Sequence, residues 1–534
     1  MQDLLGGYAS VHGQQQVRGV SVYPHSIVFE VDPNGGATSH GDPLLENIEV
    51  DVVPVIGPIV AARAAFRHLR DGSGGFCHTA HAPMFESRGY LPRVVSAFPM
   101  PARPTVVSAG PFDEPVQTNL VIFTSGSDAP RLGWLVSLHV DTVASFTVVV
   151  SAEEKRPRVL YCAAEAASVS ASVFPFSAGE PAVVMPFPRP VTDYPVGVRP
   201  ADPFRDWVES NQLLGNNVET RIGMNSANVV EAGGVFTPAN SLQQQAVNAF
   251  FICNFMHDFF SLIGFGEKDG NFQKQNFDGA GLAGDRLIVS VFTTAQGNAN
   301  MLAQNDGGPA RLSLGVWRND DGSMGQPTSL DAGVVIHEFT HGVSQRLVSG
   351  RLKKAALSEP QGLALGEGWS DYFAVTILNY YRRPNPPRFS FAEFASGLAG
   401  GVRPHAYGRA AFTTDMTQLG KAPFDEQHTA GSIFAAALID MHDQLEKLFG
   451  DDANATTGQE TSWRLVIDSM KVLKANPTFI DARDGLLSAN QRLKPAQSDA
   501  IEHAIRDAFA HYGMGRNAKS KDTSLKQFTA DFTV

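Results

Sequence analysis

The sequence predicts an α+β protein with a β-rich first third and a mainly helical second half. Three observations carry this expectation. Apolar and polar residues alternate in short runs before about residue 160. From Ser241 onward the apolar residues instead recur at helical spacing in long runs. A chain of 534 residues also exceeds one ordinary core, and roughly 100 to 200 residues per domain suggests two to four compact units.

In the first third, SIVFEVDPNGG alternates into a turn, and WLVSLHVDTVASFTVVVSAEE reads as two strands with a polar break between them. A small helix is expected around IVAARAAFRHL. Between about residues 165 and 240 the periodicity fades and Pro, Gly, Ser and Asn accumulate, which predicts an extended connecting region with a domain boundary near its start. QQQAVNAFFICNFMHDFFSLIGF is apolar all round, as a buried helix is, and ends at Gly264 and Gly266. SLDAGVVIHEFTHGVSQRLVSG has Ser329 or Asp331 as its cap and Gly350 as its stop, and QGLALGEGWSDYFAVTILNYY follows Pro360, a good first-turn residue. Further helices run through TAGSIFAAALIDMHDQLEKLF and SWRLVIDSMKVL, and the Arg-, Pro- and Gly-rich stretch from Arg382 to Phe424 reads as a long functional loop.

Composition excludes several classes. Apolar residues make up 43% and charged residues 18%, with 50 glycines and 33 prolines, which is globular and loop-rich rather than disordered or fibrous. A formal net charge of −12 without long acidic blocks leaves no electrostatic footprint for nucleic acid or anionic lipid. No stretch reaches the roughly 18 consecutive apolar residues of a membrane span. The N-terminal MQDLLGGYASVHGQQQVRG lacks the apolar core of a signal peptide. Cys77, Cys162 and Cys253 lie far apart, form no CxxC pair and make no disulfide framework, and Cys162 and Cys253 read as inert core thiols.

Chemistry concentrates in the helical half. His337 and His341 are four residues apart, so on a helix their imidazoles share one face and reach one tetrahedral Zn²⁺. Glu338, rotated about 100° from His337, reaches a water on that metal without being a ligand. Chance alone gives this composition an HExxH on the order of 0.02 times, with a surface histidine pair as the bland alternative. A catalytic site needs a third protein ligand and an open position, and Glu367 in GEGWSD is the candidate. Asp371, one turn further, is placed to accept the free ring N–H of a ligating histidine. His428 in EQHTAGSIFAAAL sits at a helix start, where a cap or surface role competes with that of an oxyanion donor.

Together these segments resemble the fungalysin family of zinc metallopeptidases, relatives of thermolysin. HEFTHGVSQRL and GEGWSDYFA are similar to the family's two metal-binding helices, with Phe339 where the family often has Tyr. The resemblance implies His337, His341 and Glu367 as zinc ligands, Glu338 as general base, and Asp371 as the partner of a ligand histidine. EQHTAGSIFAAAL resembles the helix of the transition-state histidine, which maps to His428. GNANMLAQNDGGPARLSLGVW resembles part of the family's N-terminal lobe, which implies that Asn298 and Ala299 lie on the cleft-edge strand that pairs with substrate, and Arg403 and Tyr407 are implied as further substrate donors. His257 and Asp258 match a family HD pair, read here as a buried structural hydrogen bond.

The implied architecture is a β-rich propeptide over residues 1–167, then a two-lobed thermolysin-like catalytic unit. Its N-terminal lobe with the HExxH helix covers 168–350, and its helical C-terminal lobe covers 351–534. SASVFPFSAGEPA resembles the family's mature N-terminus, implying processing near Ala167. The function implied is a secreted zinc endopeptidase made as a zymogen, with protein or peptide substrates, its own propeptide as partner, and neither nucleic acid nor membrane. A small-peptide zinc hydrolase and a non-catalytic zinc-binding protein on the same scaffold are the alternatives. The chain departs from the family in beginning inside the propeptide, in showing no secretion signal and in carrying Ala475 where many relatives have a disulfide cysteine; an upstream start would account for the first two. NDDGS lacks a full calcium-loop pattern, so calcium binding stays open, without a clear motif to support it.

Overall fold

A computed structural model describes the chain except for short stretches, the longest being 72–89, 98–103, 197–206 and 451–457. Cys77 and Ala167, and with Ala167 the expected processing point, lie outside the described residues. The fold is mixed α+β, β-rich first and helical later, and it divides into two compact units, Met1–Ser168 with Ala201–Pro203, and Val169–Pro200 with Phe204–Val534.

The first unit is built on an eight-stranded sheet. Its strands include β1 (Val20–Tyr23), β2 (Val116–Phe123), β3 (Arg131–His139), β4 (Ala144–Ser151) and β5 (Val159–Ala166). β2 to β5 form an antiparallel meander, and β1 adds to β2 in parallel. The two strands expected in WLVSLHVDTVASFTVVV are β3 and β4, paired from Gly133↔Ser151 to His139↔Ser145. Helix α1 (Pro58–Asp71) matches the expected IVAARAAFRHL helix, and its Ala61, Ala65, Phe66 and Leu69 join Val136, Leu138, Val148 and Val150 in one core.

In the second unit the region expected to be an extended connector holds strands instead. β6 (Val169–Val173) pairs antiparallel with β7 (Val183–Phe187) and parallel with a short strand at Val235–Phe236. A five-stranded sheet runs from a short edge strand at Asn225–Ser226 through β8 (Val218–Ile222), β9 (Leu287–Val291) and β10 (Arg311–Leu314) to the other edge strand β11 (Ala299–Leu302). These strands are short, and Pro and Gly lie between them, so no run was long enough to show a period of two.

Helix α2 (Ser241–Leu262) is buried almost from end to end, as its all-round apolar sequence requires. At its middle the buried Asn248 accepts the Phe174 N–H at 2.7 Å and donates to the Ser329 carbonyl at 2.9 Å. One amide thereby ties the start of this unit to the entry of helix α3 (Ala332–Leu347). Asp331 is the cap of α3, its carboxylate accepting the Gly333 N–H at 3.0 Å, and the Phe176 carbonyl takes the Ala332 N–H at 2.7 Å. The helix closes at Leu347, three residues before the expected Gly350. Phe339 explains its own identity: it is buried, stacked 5.8 Å from Phe260 and edge-on to Phe272, with no polar partner for a tyrosine hydroxyl among those rings.

Helix α4 (Pro360–Arg382) packs on α3 and α5 (Gln427–Phe449) packs on α4, followed by α6 (Gly458–Lys471), α7 (Phe479–Leu493) and α8 (Ser498–His511). Pro360 opens α4 as expected. The stretch from Arg382 to Phe424 is irregular apart from single helical turns at Glu393–Ser396 and Met416–Gln418.

Candidate metal centre

Three side chains from two helices converge at one point. His337 and His341 project from adjacent turns of α3, and Glu367 faces them from α4. The two Nε2 atoms lie 3.1 Å apart, and the Glu367 oxygens lie 3.2 Å from His337 Nε2 and 3.5 Å from His341 Nε2. Glu367 Oε2 is buried without a hydrogen bond, because its approach to His337 lacks hydrogen-bond geometry. A buried carboxylate oxygen without a hydrogen bond, facing two imidazole nitrogens, is costly unless a cation sits among them. The donor set, two imidazoles and one carboxylate within 4.8 Å, fits a tetrahedral metal with its fourth position open.

The electrostatics agree. Burial pushes His341 down to about 4, leaving a neutral ring with a free lone pair. For His337 burial also acts downward, but the Asp371 and Glu367 carboxylates outweigh it and raise the ring to about 10. Burial would raise Glu367, yet the two histidines bring it down to about 2. The cluster thus holds a field that favours a positive charge at its centre.

Behind it, Asp371 is fully buried and saturated with donors. It accepts His337 Nδ1 at 2.7 Å, Arg403 Nε at 2.6 Å and Arg403 Nη2 at 3.0 Å, and also the Tyr407 hydroxyl. Burial opposes its charge, but Arg403 and His337 hold it well below the usual carboxylate range. A proton on Nδ1 of His337 leaves Nε2 turned toward the centre. Arg403 thus commits Nε and Nη2, and Tyr407 its hydroxyl, to Asp371. Arg403 still lines the cleft, while Tyr407 is buried behind it.

In front of the cluster lies a cleft of about 440 Å³, bordered by Ala299, Met301, Val334, Phe391 and His428. Glu338 sits in its floor, and burial pushes its carboxyl up to about 7. β11 forms one wall as the edge strand of its sheet, pairing with β10 through Ala299↔Leu314, with no second strand paired to it among the described residues. A Cβ on Gly342 of α3 would meet the end of the Met301 side chain and fall 2.9 Å from Phe272, so this glycine leaves room for those two side chains against the histidine helix. Asn298 stands at the strand's entrance with φ of 61°, and its amide clasps the backbone of Arg318, accepting its N–H at 2.8 Å and donating to its carbonyl at 3.2 Å.

His428 lies on the opposite side, half exposed, with Nε2 3.6 Å from Glu367 Oε1. It is not the cap of α5. Glu426 is, accepting the N–H groups of His428 and Thr429, and the same carboxylate takes His428 Nδ1 at 2.8 Å. That bond raises the His428 pKa. Burial opposes Glu426's charge, but these bonds bring it down to about 2. Sequence reasoning missed Glu426; an acidic residue two places before a histidine at a helix start was the available signal. His257 and Asp258 form the expected buried pair at 2.9 Å, with Trp207 Nε1 donating to Asp258 at 2.7 Å.

Residues 205–518 match the family model of the fungalysin metallopeptidases (M36). An extracellular metalloproteinase, mep, of Aspergillus fumigatus is 31% identical over 292 residues, covering 53% of this chain and 45% of that protein. Extracellular metalloproteinase 4 of Arthroderma otae is 31% identical over 294 residues, covering 53% and 44%. Extracellular metalloproteinase 2 of Trichophyton rubrum is 30% identical over 293 residues, covering 52% and 45%. The matched part of the chain spans less than half the length of these curated relatives.

Proposed function

The chain belongs to the fungalysin family of metallopeptidases, and on that premise we propose that it is a zinc endopeptidase with His337, His341 and Glu367 as ligands. The convergence of those three side chains, with Glu338 beside them in the floor of a cleft walled by an edge strand, carries this reading. When bound, Zn²⁺ would supply Lewis acidity, lowering the pKa of a water toward about 7.

The chain's own residues do the rest. An extended peptide adds to β11, with the backbone of Ala299 hydrogen-bonding the substrate main chain, and Asn298 holds that strand entrance in register. Glu338, held near neutrality by burial, takes the proton of the attacking water and passes it to the leaving nitrogen. His428 donates Nε2–H to the developing oxyanion, and Glu426 favours the doubly protonated ring that this requires. Asp371, braced by Arg403 and Tyr407, fixes the His337 ring. The apolar lining of Val334 and Phe391 suits an apolar side chain after the cut.

The N-terminal unit acts as a propeptide, chaperone and inhibitor, removed by cleavage near Ala167. Among the described residues no helix is long and apolar enough to cross a membrane, and the relatives named extracellular support an extracellular site of action. Metal analysis combined with casein cleavage tests the whole reading. Glu338→Gln should bind stoichiometric zinc and lose nearly all turnover, because no group then activates the water. Retention of more than about a tenth of wild-type activity would refute the assignment of the base.

A further inference from the structure

α4 and α5 cross immediately behind the centre, and they touch backbone to backbone. The crossing point is Gly431 on α5 against Gly368 on α4. A Cβ on Gly431 would press on the Ala364 carbonyl oxygen and stand 2.7 Å from Glu367 Cβ and 3.1 Å from Gly368 N. A Cβ on Gly368 would meet the Gly431 carbonyl oxygen at 2.8 Å and Phe434 Cβ at 3.2 Å. None of these neighbours is the free end of a flexible side chain, so a methyl group must move a helix.

The position of this seam matters. Gly431 lies one turn after His428 on the same helix, and Gly368 directly follows Glu367. The seam therefore fixes the separation of the two helices where His428 Nε2 stands 3.6 Å from Glu367 Oε1. We propose that Gly431 is a positioning residue: its missing side chain sets the distance between the His428 ring and the Glu367 carboxylate. This inference rests on the endopeptidase reading above.

Restoring ordinary contact to the nearest atom, the Ala364 carbonyl oxygen, requires the helices to part by about 1 Å, and misplacement on the order of 1 Å costs up to about 10²-fold in rate. Gly431→Ala should keep stoichiometric zinc and a KM within about threefold of wild type while kcat falls about 10- to 100-fold. Gly368→Ala, with longer approaches, should give a smaller loss in the same direction and serves if Gly431→Ala fails to fold. In a His428→Ala background Gly431→Ala should cost less than about threefold more, because both changes then act on one interaction.

Gly458→Ala is the control for mere destabilisation. Its Cβ would press on the Leu445 carbonyl at another helix seam outside the cleft lining, so it should lower the thermal midpoint and leave kcat per zinc-loaded enzyme unchanged. An unchanged kcat in Gly431→Ala, the same fold-loss persisting without His428, or an equal kcat loss in Gly458→Ala would each overturn the proposal. A wild-type protein that, once its N-terminal unit has been cleaved off, binds metal but cleaves no peptide would defeat the endopeptidase reading instead. The seam is then judged by the visible absorption spectrum of the Co²⁺-substituted protein. A shift on Gly431→Ala but not on Gly458→Ala supports it, and identical spectra for wild type and Gly431→Ala overturn it.

Discussion

Asp371→Asn is the perturbation that asks most of the site, because the change is nearly isosteric and every donor around it is known. Oδ1 receives His337 Nδ1 and Arg403 Nη2, and Oδ2 receives Arg403 Nε and the Tyr407 hydroxyl. An asparagine offers one oxygen and one NH₂. If the oxygen keeps His337, the NH₂ faces Arg403 Nε and Tyr407. The tyrosine can rotate its hydroxyl and accept; the guanidinium cannot. Arg403, 7% exposed, then loses its carboxylate, and the nearest other one is Glu367, 3.6 Å from Nη2. Breaking a buried ion pair costs about 3 to 5 kcal/mol, and Glu367 takes up part of it, so a loss of about 2 to 3 kcal/mol is expected in the metal-free protein. A guanidinium drawn to Glu367 also competes for the ligand oxygen, and zinc affinity should fall about 10- to 100-fold. Chelator competition reads the affinity, and urea unfolding of the apo- and zinc-loaded proteins reads the stability. Unchanged zinc affinity would show that the His337–Asp371 contact does not tune the ligand, and unchanged stability would show that Arg403 is satisfied without it.

Three further outcomes are expected. His428→Ala should cut kcat by about 10²- to 10³-fold with KM nearly unchanged and zinc retained, and a stable variant with normal kcat would remove His428 from the chemistry. Glu426→Gln should lose α5 capping strength of about 1 kcal/mol and lower the pH at which the His428-dependent limb of kcat falls, whereas a profile unmoved on that limb would separate the two residues. Asp443 concerns stability alone: burial first, and the Glu446 carboxylate next, push it up to about 7, above its unfolded value, so its proton is held more tightly in the folded state. Wild-type stability should therefore decline as pH rises from about 4 to about 7, and Asp443→Asn should be more stable by about 1 to 2 kcal/mol at pH 8 with the gap closing toward pH 4; a pH-independent difference would contradict this.

What the sequence made legible is what repeats at a fixed local spacing. The HExxH pair and the Glu367–Asp371 pair each sit one helical turn apart, so the helix period alone puts each pair on one face. The fold class followed from the same periodicities, and the buried α2 from apolar residues on every side. The strands between Val169 and Phe236 stayed hidden because each is five residues or fewer and the segments joining them are rich in Pro and Gly. The work of Arg403 and Tyr407 was hidden for another reason. Their partner Asp371 is more than 30 residues away, and nothing local distinguishes a donor that faces substrate from one that faces a buried carboxylate.

His428 shows where the two kinds of information meet. Its neighbours in sequence left a cap and an oxyanion donor in balance, since a polar residue at a helix start suits both. The capping bonds run to Glu426, so the cap reading loses its basis. The ring is left with Nδ1 on that carboxylate and Nε2 beside Glu367. What brings the ring there is the close crossing of α4 and α5 at Gly368 and Gly431, two residues that carry no chemistry and that no spacing rule singles out. A helix period puts His337 and His341 on one face, but it says nothing about how closely α4 and α5 approach each other, and on the proposal above that distance depends on where side chains are absent.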